Sequence, residues 1–193
     1  MLLGRLAAAA AITLTCLAVA PAASAAMSAK EKEQARADVQ KMSRETLERL
    51  YRAQPGAKAA VAKSAGYAVF SNFGMKIFFA GGGKGEGVAV DSKTKKVTYM
   101  KMIEAQAGLG MGAKKFRLVW VFENQRDLSR FVNSGYEFGG QASAAAKKGA
   151  QGGSYAGAVS VSPGVWLYQL TDEGLAAEIT AKGTKYYKDA DLN

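Results

Sequence analysis

Val97-Thr98-Tyr99-Met100-Lys101-Met102-Ile103 is the stretch on which the fold turns. Side chains alternate across a strand, so Val97, Tyr99 and Ile103 fall on one face and Thr98, Met100 and Met102 on the other. The run before it, Asp91-Ser92-Lys93-Thr94-Lys95-Lys96, is polar and charged and reads as a hairpin loop. Gly87 to Asp91 is then an antiparallel partner. Upstream, Tyr67 to Phe73 and Lys76 to Ala80 read as further short strands separated by glycine turns. Downstream, Phe116 to Phe122 is apolar on both faces, as a central strand is.

Working outward, Asn124 offers an N-cap, with Leu128, Phe131 and Val132 on one side of a short helix that ends near Gly135. Trp166 to Leu170 and Leu175 to Ala181 read as a strand pair across Thr171-Asp172-Glu173-Gly174. Gly139 to Ala158 is ambiguous: its alanines favour helix, but its six glycines and alternating small residues suit a tightly curved strand, the preferred reading. At the other end, Ser28-Ala29-Lys30-Glu31 is a capping box. Ala35, Val39, Met42, Leu47, Leu50 and Tyr51 then make one apolar stripe on a helix running to about Ala53. Pro55-Gly56 stops it, and a second short helix spans about Ala57 to Ser64. Helices first, then an antiparallel sheet with one inserted short helix, is an α+β architecture. The expected sheet is curved, a partial barrel.

Residues 1–25 are expected to be a secretory signal peptide: Arg5, an uncharged apolar run from Leu6 to Ala20, Pro21, and the small-x-small Ala23-Ser24-Ala25. The apolar run is too short for a membrane span. Thr13-Leu14-Thr15-Cys16 fits a lipoprotein signal poorly. Cleavage near Ala25 gives a periplasmic or secreted protein comprising an amphipathic helix, residues 26–55, and an α+β domain, residues 56–193. The chain carries 26 Lys and Arg against 16 Asp and Glu, a net charge of +10, with one cysteine and no histidine. Without histidine, Ser-His-Asp triads, Cys-His pairs and histidine-ligated metals are excluded. The positive charge favours anionic partners, and export makes nucleic acid the least expected of them.

Gly81-Gly82-Gly83-Lys84-Gly85-Glu86-Gly87 lacks the phosphate-loop spacing, and Gly108-Leu109-Gly110-Met111-Gly112 is followed by a strand rather than the helix that dinucleotide binding needs. Both read as bends of a curved sheet. Ser92-Lys93-Thr94-Lys95 matches a penicillin-interacting motif only by chance, since it lies in a polar turn without partner motifs. Glu86, Glu104, Glu123 and Glu137 are scattered. No catalytic residue, metal ligand or cofactor site is assigned. Trp120 reads as core; Phe78 and Phe79, adjacent on a strand, point to opposite faces.

Several pieces in collinear order resemble the SYLF domain family: Ala62-Lys63-Ser64-Ala65-Gly66-Tyr67-Ala68-Val69-Phe70, the 81–88 glycine run, and Gln106-Ala107-Gly108-Leu109-Gly110. Val121-Phe122-Glu123-Asn124, Tyr136-Glu137-Phe138-Gly139, Gly164-Val165-Trp166-Leu167-Tyr168-Gln169-Leu170 and Gly174-Leu175 through Gly183 continue the series. Phe70 is followed by Ser71-Asn72, where members often have a proline soon after. The resemblance implies a lipid-binding module rather than an enzyme, binding anionic phospholipid or a phosphoinositide-like lipid. Actin, bound by certain fungal members, is not an expected partner of an exported chain. On this reading Lys30, Lys32, Arg36, Lys41, Arg44, Arg49 and Arg52 on the first helix attract head groups, at about 1 kcal/mol per well-placed cation. Lys76, Phe78, Phe79 and Lys84 on the sheet complete the candidate site. Glutamates on the same helix compete for its cations as i,i+4 pairs. A structural or interaction module, with the helix docked on its own sheet or on a partner, is the rival reading; an unrecognised carboxylate or Ser-Lys enzyme site is the third.

Overall fold

The capping box forms as the spacing predicts. In the computed structural model, which describes residues 27–77, 80–107, 112–138, 155–172, 174–175 and 183–193, Glu31 N–H donates to Ser28 Oγ, and Ser28 N–H donates to Glu31 Oε2. They start helix α1, Ala29–Ala53, and α2 follows at Gly56–Lys63. The strands are β1 Gly66–Ile77, β2 Ala80–Asp91, β3 Val97–Ala107 and β4 Gly112–Phe122. After helix α3, Gln125–Asn133, come β5 Tyr136–Phe138, β6 Val159–Ser162, β7 Val165–Thr171, β8 Gly174–Leu175 and β9 Thr184–Lys188. All described pairings are antiparallel, in the order β5-β9-β3-β2-β1-β4-β7-β6, with β8 beside β7. The sheet curls into a half-barrel. The α+β class and the inserted helix are as expected.

Strand alternation divides the core in two. One face carries Phe70, Met100, Met102, Leu118, Trp120, Phe122 and Tyr186, closed by Leu128 and Phe131 of α3. The Phe131 ring lies 5.0 Å from Phe122, 5.2 Å from Tyr186 and 5.3 Å from Trp120. The opposite face carries Val69, Val119, Val121, Tyr168 and Leu170 under Leu50 of α1 and Val61 of α2. Farther along α1, Val39 packs on Val88, Tyr99 and Leu192. The helix therefore lies across the sheet with its apolar stripe buried, and Leu50 is wholly inaccessible. β4 serves both faces, which explains its unbroken apolar run.

Two expectations change. The glycine turns between short strands are not turns: Lys76 belongs to the continuous strand β1, and Gly81 to Gly87 is paired strand in β2. A Cβ on Gly87 would collide with the Phe70 ring and the Val69 carbonyl; one on Gly85 would sit 2.6 Å from Met102 Cγ. These glycines leave room for their neighbours' side chains. The strand expected over Gly139 to Ala158 is overturned where it can be seen, because 155–158 form a turn leading into β6; residues 139–154 lie outside the described residues. So do Gly108 to Met111, and all but Leu175 of the strand expected over Leu175 to Ala181. Three strands, β5, β6 and β9, were not anticipated.

The C-terminal residues fasten α1 to the sheet. Asn193 brackets Tyr99, accepting its N–H at 3.0 Å and donating to its carbonyl at 2.8 Å. Arg36 Nε–H donates to the Leu192 carbonyl at 2.8 Å, with its guanidinium 5.8 Å from the Tyr99 ring centroid. Lys101 lies 2.9 Å from Asp189 and 3.2 Å from Asp191.

Candidate functional site

The cations read from the sequence on the first helix divide between those that the fold engages and those that it leaves exposed. Arg36 is held by the Leu192 carbonyl, and Arg49 donates to the Thr171 carbonyl at 2.9 Å. Lys41 stands 4.0 Å from Glu45, whose other oxygen is 3.9 Å from Arg117. Lys32 is half-buried, and Lys30, Arg44 and Arg52 are exposed. Two of the expected headgroup contacts, Arg36 and Arg49, are thus engaged in holding the helix down. On the sheet, Lys84 is exposed on β2, whereas the side chain of Lys76 and all of Phe78 and Phe79 lie outside the described residues.

Among the described residues, three depressions border α1. The largest, a cleft of about 670 Å³, runs between the start of β3, α3 and the C-terminal residues. Val97, Leu128, Val132 and Leu192 give it apolar walls, and Arg36, Lys96 and Lys188 supply positive charge. Val97 is 36 % exposed, and Lys188 donates to Asn133 Oδ1 at 2.8 Å. A groove of about 640 Å³ lies between α1 and strands β2 and β3, floored by Val39, Met42, Met102 and Ile103 and flanked by Lys84 and Lys101. Ile103 is 45 % exposed there. Asp189, hydrogen-bonded to Lys101, holds the ammonium pKa above its ordinary 10.5, with Asp191 adding to the effect. A smaller depression of about 290 Å³ includes Arg49, Lys115 and Arg117.

In the sequence Lys96 is only one residue of a charged loop. Its cluster with Lys93 and Lys95 was visible in the sequence, but charged turns are common. The hairpin is built by Asp91, whose Oδ1 accepts the backbone N–H groups of Lys93 at 2.9 Å and Thr94 at 2.8 Å. Its other oxygen accepts from the Gln125 amide. The backbone bond from Thr94 leads in holding the Asp91 pKa below the usual carboxylate range.

The carboxylates do not converge. Glu104 is buried and accepts from Asn72 Nδ2 at 2.5 Å. Glu86 lies on the opposite face of the sheet, three registers along, and Glu123 accepts the Trp166 indole N–H at 2.9 Å. The Glu137 side chain is outside the described residues. Among the described residues, no group of three or more Asp, Glu, Cys or His could hold a metal, and no helix is long and apolar enough to cross a membrane.

Comparison with known proteins agrees with the collinear motifs. Residues 103–193 match the family model Ysc84, described as Las17-binding protein actin regulator. Beta cell expansion factor A of Aeromonas veronii is 34% identical over 161 residues, which cover 82% of this chain. The chain spans only 59% of that relative's length. The family match includes β9 and the C-terminal residues that fasten α1, so residues 103–193 match the Ysc84 (SYLF) domain family, and the relative's match extends over most of the chain.

Proposed function

We propose that this protein is a non-catalytic lipid-binding domain of an exported envelope protein, with anionic phospholipid as its ligand. The observation that supports it best is the cleft beside α3, where apolar Val97, Leu128 and Val132 lie next to Arg36, Lys96 and Lys188. Its size falls within the range of sites that hold small ligands, and its combination of charge and apolar wall suits a headgroup and the first carbons of its chain. Las17 and actin, named in the family description, are not proposed as partners, because the expected export keeps the chain from cytosolic proteins. The docking of α1 favours a second role for that helix, structural rather than membrane-inserting: its apolar stripe is already buried against the sheet.

Flotation of the purified protein with vesicles tests the reading. Binding is expected to vesicles of phosphatidylcholine mixed with phosphatidylglycerol and to be absent with phosphatidylcholine alone. Equal failure with both vesicles overturns it.

A further inference from the structure

Resting on the lipid-binding reading, we infer that the membrane contact is the β2–β3 hairpin end of the molecule, not the basic N-terminal helix. Three elements converge there. Ser92 N–H donates to the Ala65 carbonyl at 2.9 Å, and Ala65 N–H donates to the Phe122 carbonyl at 2.9 Å. Gln125 at the start of α3 reaches Asp91 at the base of the hairpin. The exit of α2, the hairpin loop and the first turn of α3 are thereby held together, presenting Lys63, Lys93, Lys95, Lys96 and Arg126, all exposed.

The carboxylates at this end are turned toward donors of the fold. Asp91 accepts from the Lys93 and Thr94 backbone and from Gln125. The Asp127 carboxylate accepts from the side-chain amide of Asn124, the N-cap of α3, and stands 3.9 Å from Arg126. Glu123 accepts from Trp166. Among the described residues, Lys63, Lys93, Lys95 and Lys96 have no ion-pair partner. Sequence charge follows the same division: residues 29–53 hold seven cations against five carboxylates, whereas the loop over residues 91–96 holds three against one.

An anionic membrane surface fits this end better than a soluble polyanion. Lys96 belongs both to the patch and to the apolar-walled cleft, whose exposed Val97 is the next residue. A polyanion has no use for that apolar wall. Exposed cations act on an anionic surface over about 8 Å at physiological salt, so the clustered loop lysines act together, beside the apolar wall, on one patch of that surface.

The test compares two charge-reversal variants on mixed phosphatidylcholine–phosphatidylglycerol vesicles: K93E/K95E/K96E at the hairpin and K30E/R44E/R52E on α1. The hairpin variant is expected to bind at least about tenfold more weakly, with a shallower salt dependence, and the helix variant within about threefold of the parent chain. K63E/R126E, which leaves the hairpin intact, is expected to weaken binding by an intermediate factor. Unchanged thermal midpoints establish that each variant folds. If the parent binds anionic vesicles and the hairpin and K63E/R126E variants bind equally well, the hairpin inference fails while lipid binding stands. If the parent does not bind, the underlying reading fails. Equally tight binding to soluble polyphosphate, undiminished by competing anionic vesicles, overturns the membrane as the partner.

Discussion

Helix α1 and the β2–β3 hairpin are both rich in lysine and arginine, yet the fold uses their charges in different ways. On α1, Arg36 and Arg49 donate to carbonyls of distant segments, and Lys41 faces Glu45. In the hairpin, Asp91 organises the loop through backbone N–H groups, leaving the lysine side chains to project. A count of basic residues therefore overstates what a helix docked by its own arginines can offer a partner. The difference also separates two kinds of residue: α1 should matter to stability, the hairpin to binding.

Leu50→Ala gives the largest expected effect. Leu50 is wholly buried among Val69, Val119, Val121 and Tyr168, and a large-to-small change at such a site costs about 2–5 kcal/mol. Urea unfolding measures it. The hairpin triple variant, all surface, should shift stability by no more than about 0.5 kcal/mol. A Leu50→Ala loss below about 1 kcal/mol would mean that α1 is detachable, and the contrast between the regions would collapse.

A medium effect is expected at alkaline pH, again on the α1 side. Burial, with Tyr67 nearby, pushes the Tyr51 pKa up to about 12, and burial with Tyr155 nearby does the same for Tyr168; burial also raises Tyr67. All three belong to the cluster under α1. A raised pKa means that the folded chain keeps protons which the unfolded chain gives up above its ordinary value of 10.0. For Tyr51 and Tyr168 the contribution is complete below pH 10 and is lost as pH rises toward 12, on the order of 1–2 kcal/mol each. The raised Lys101 pKa acts in the same direction above 10.5. Tyr51→Phe with Tyr168→Phe should flatten the fall of the urea midpoint above pH 10; an unchanged slope would show that the α1 face does not govern alkaline unfolding.

What could be read from the sequence followed local rules. Both ends of α1, the Asn124 cap and the alternation in β3 are decided by neighbours in the chain, and all were legible. The glycines of β2 were not: a sequence shows that a side chain is missing, not that Phe70 and Met102 fill its place from adjacent strands. β9 is a five-residue edge-like run, Thr184-Lys185-Tyr186-Tyr187-Lys188, that becomes a strand only because β3 and β5 flank it. The candidate site suffered similarly. Nothing near Arg36 or Arg49 announces that their acceptors are the carbonyls of Leu192 and Thr171, more than a hundred residues away. Lys93, Lys95 and Lys96 were plain as a cluster, but their placement beside the ends of α2 and α3 is a tertiary fact.

The smallest expected effect tests whether the charges on α1 that remain exposed do anything for the fold. Lys41 and Glu45 are a surface i,i+4 pair, 4.0 Å apart, with side chains 69% and 48% exposed. Such pairs contribute about 0.3–0.5 kcal/mol at best, and this one runs Lys before Glu, the weaker orientation on a helix. Glu45 also has Arg117 at 3.9 Å, so losing Lys41 does not strand it. Lys41→Ala is therefore expected to change stability by less than about 0.3 kcal/mol, partly offset by alanine's higher helix propensity. A loss above about 1 kcal/mol in urea unfolding, absent in high salt, would show that the charged face of α1 holds the helix down as its buried stripe does. The two regions would then differ in burial alone, not in how they use charge.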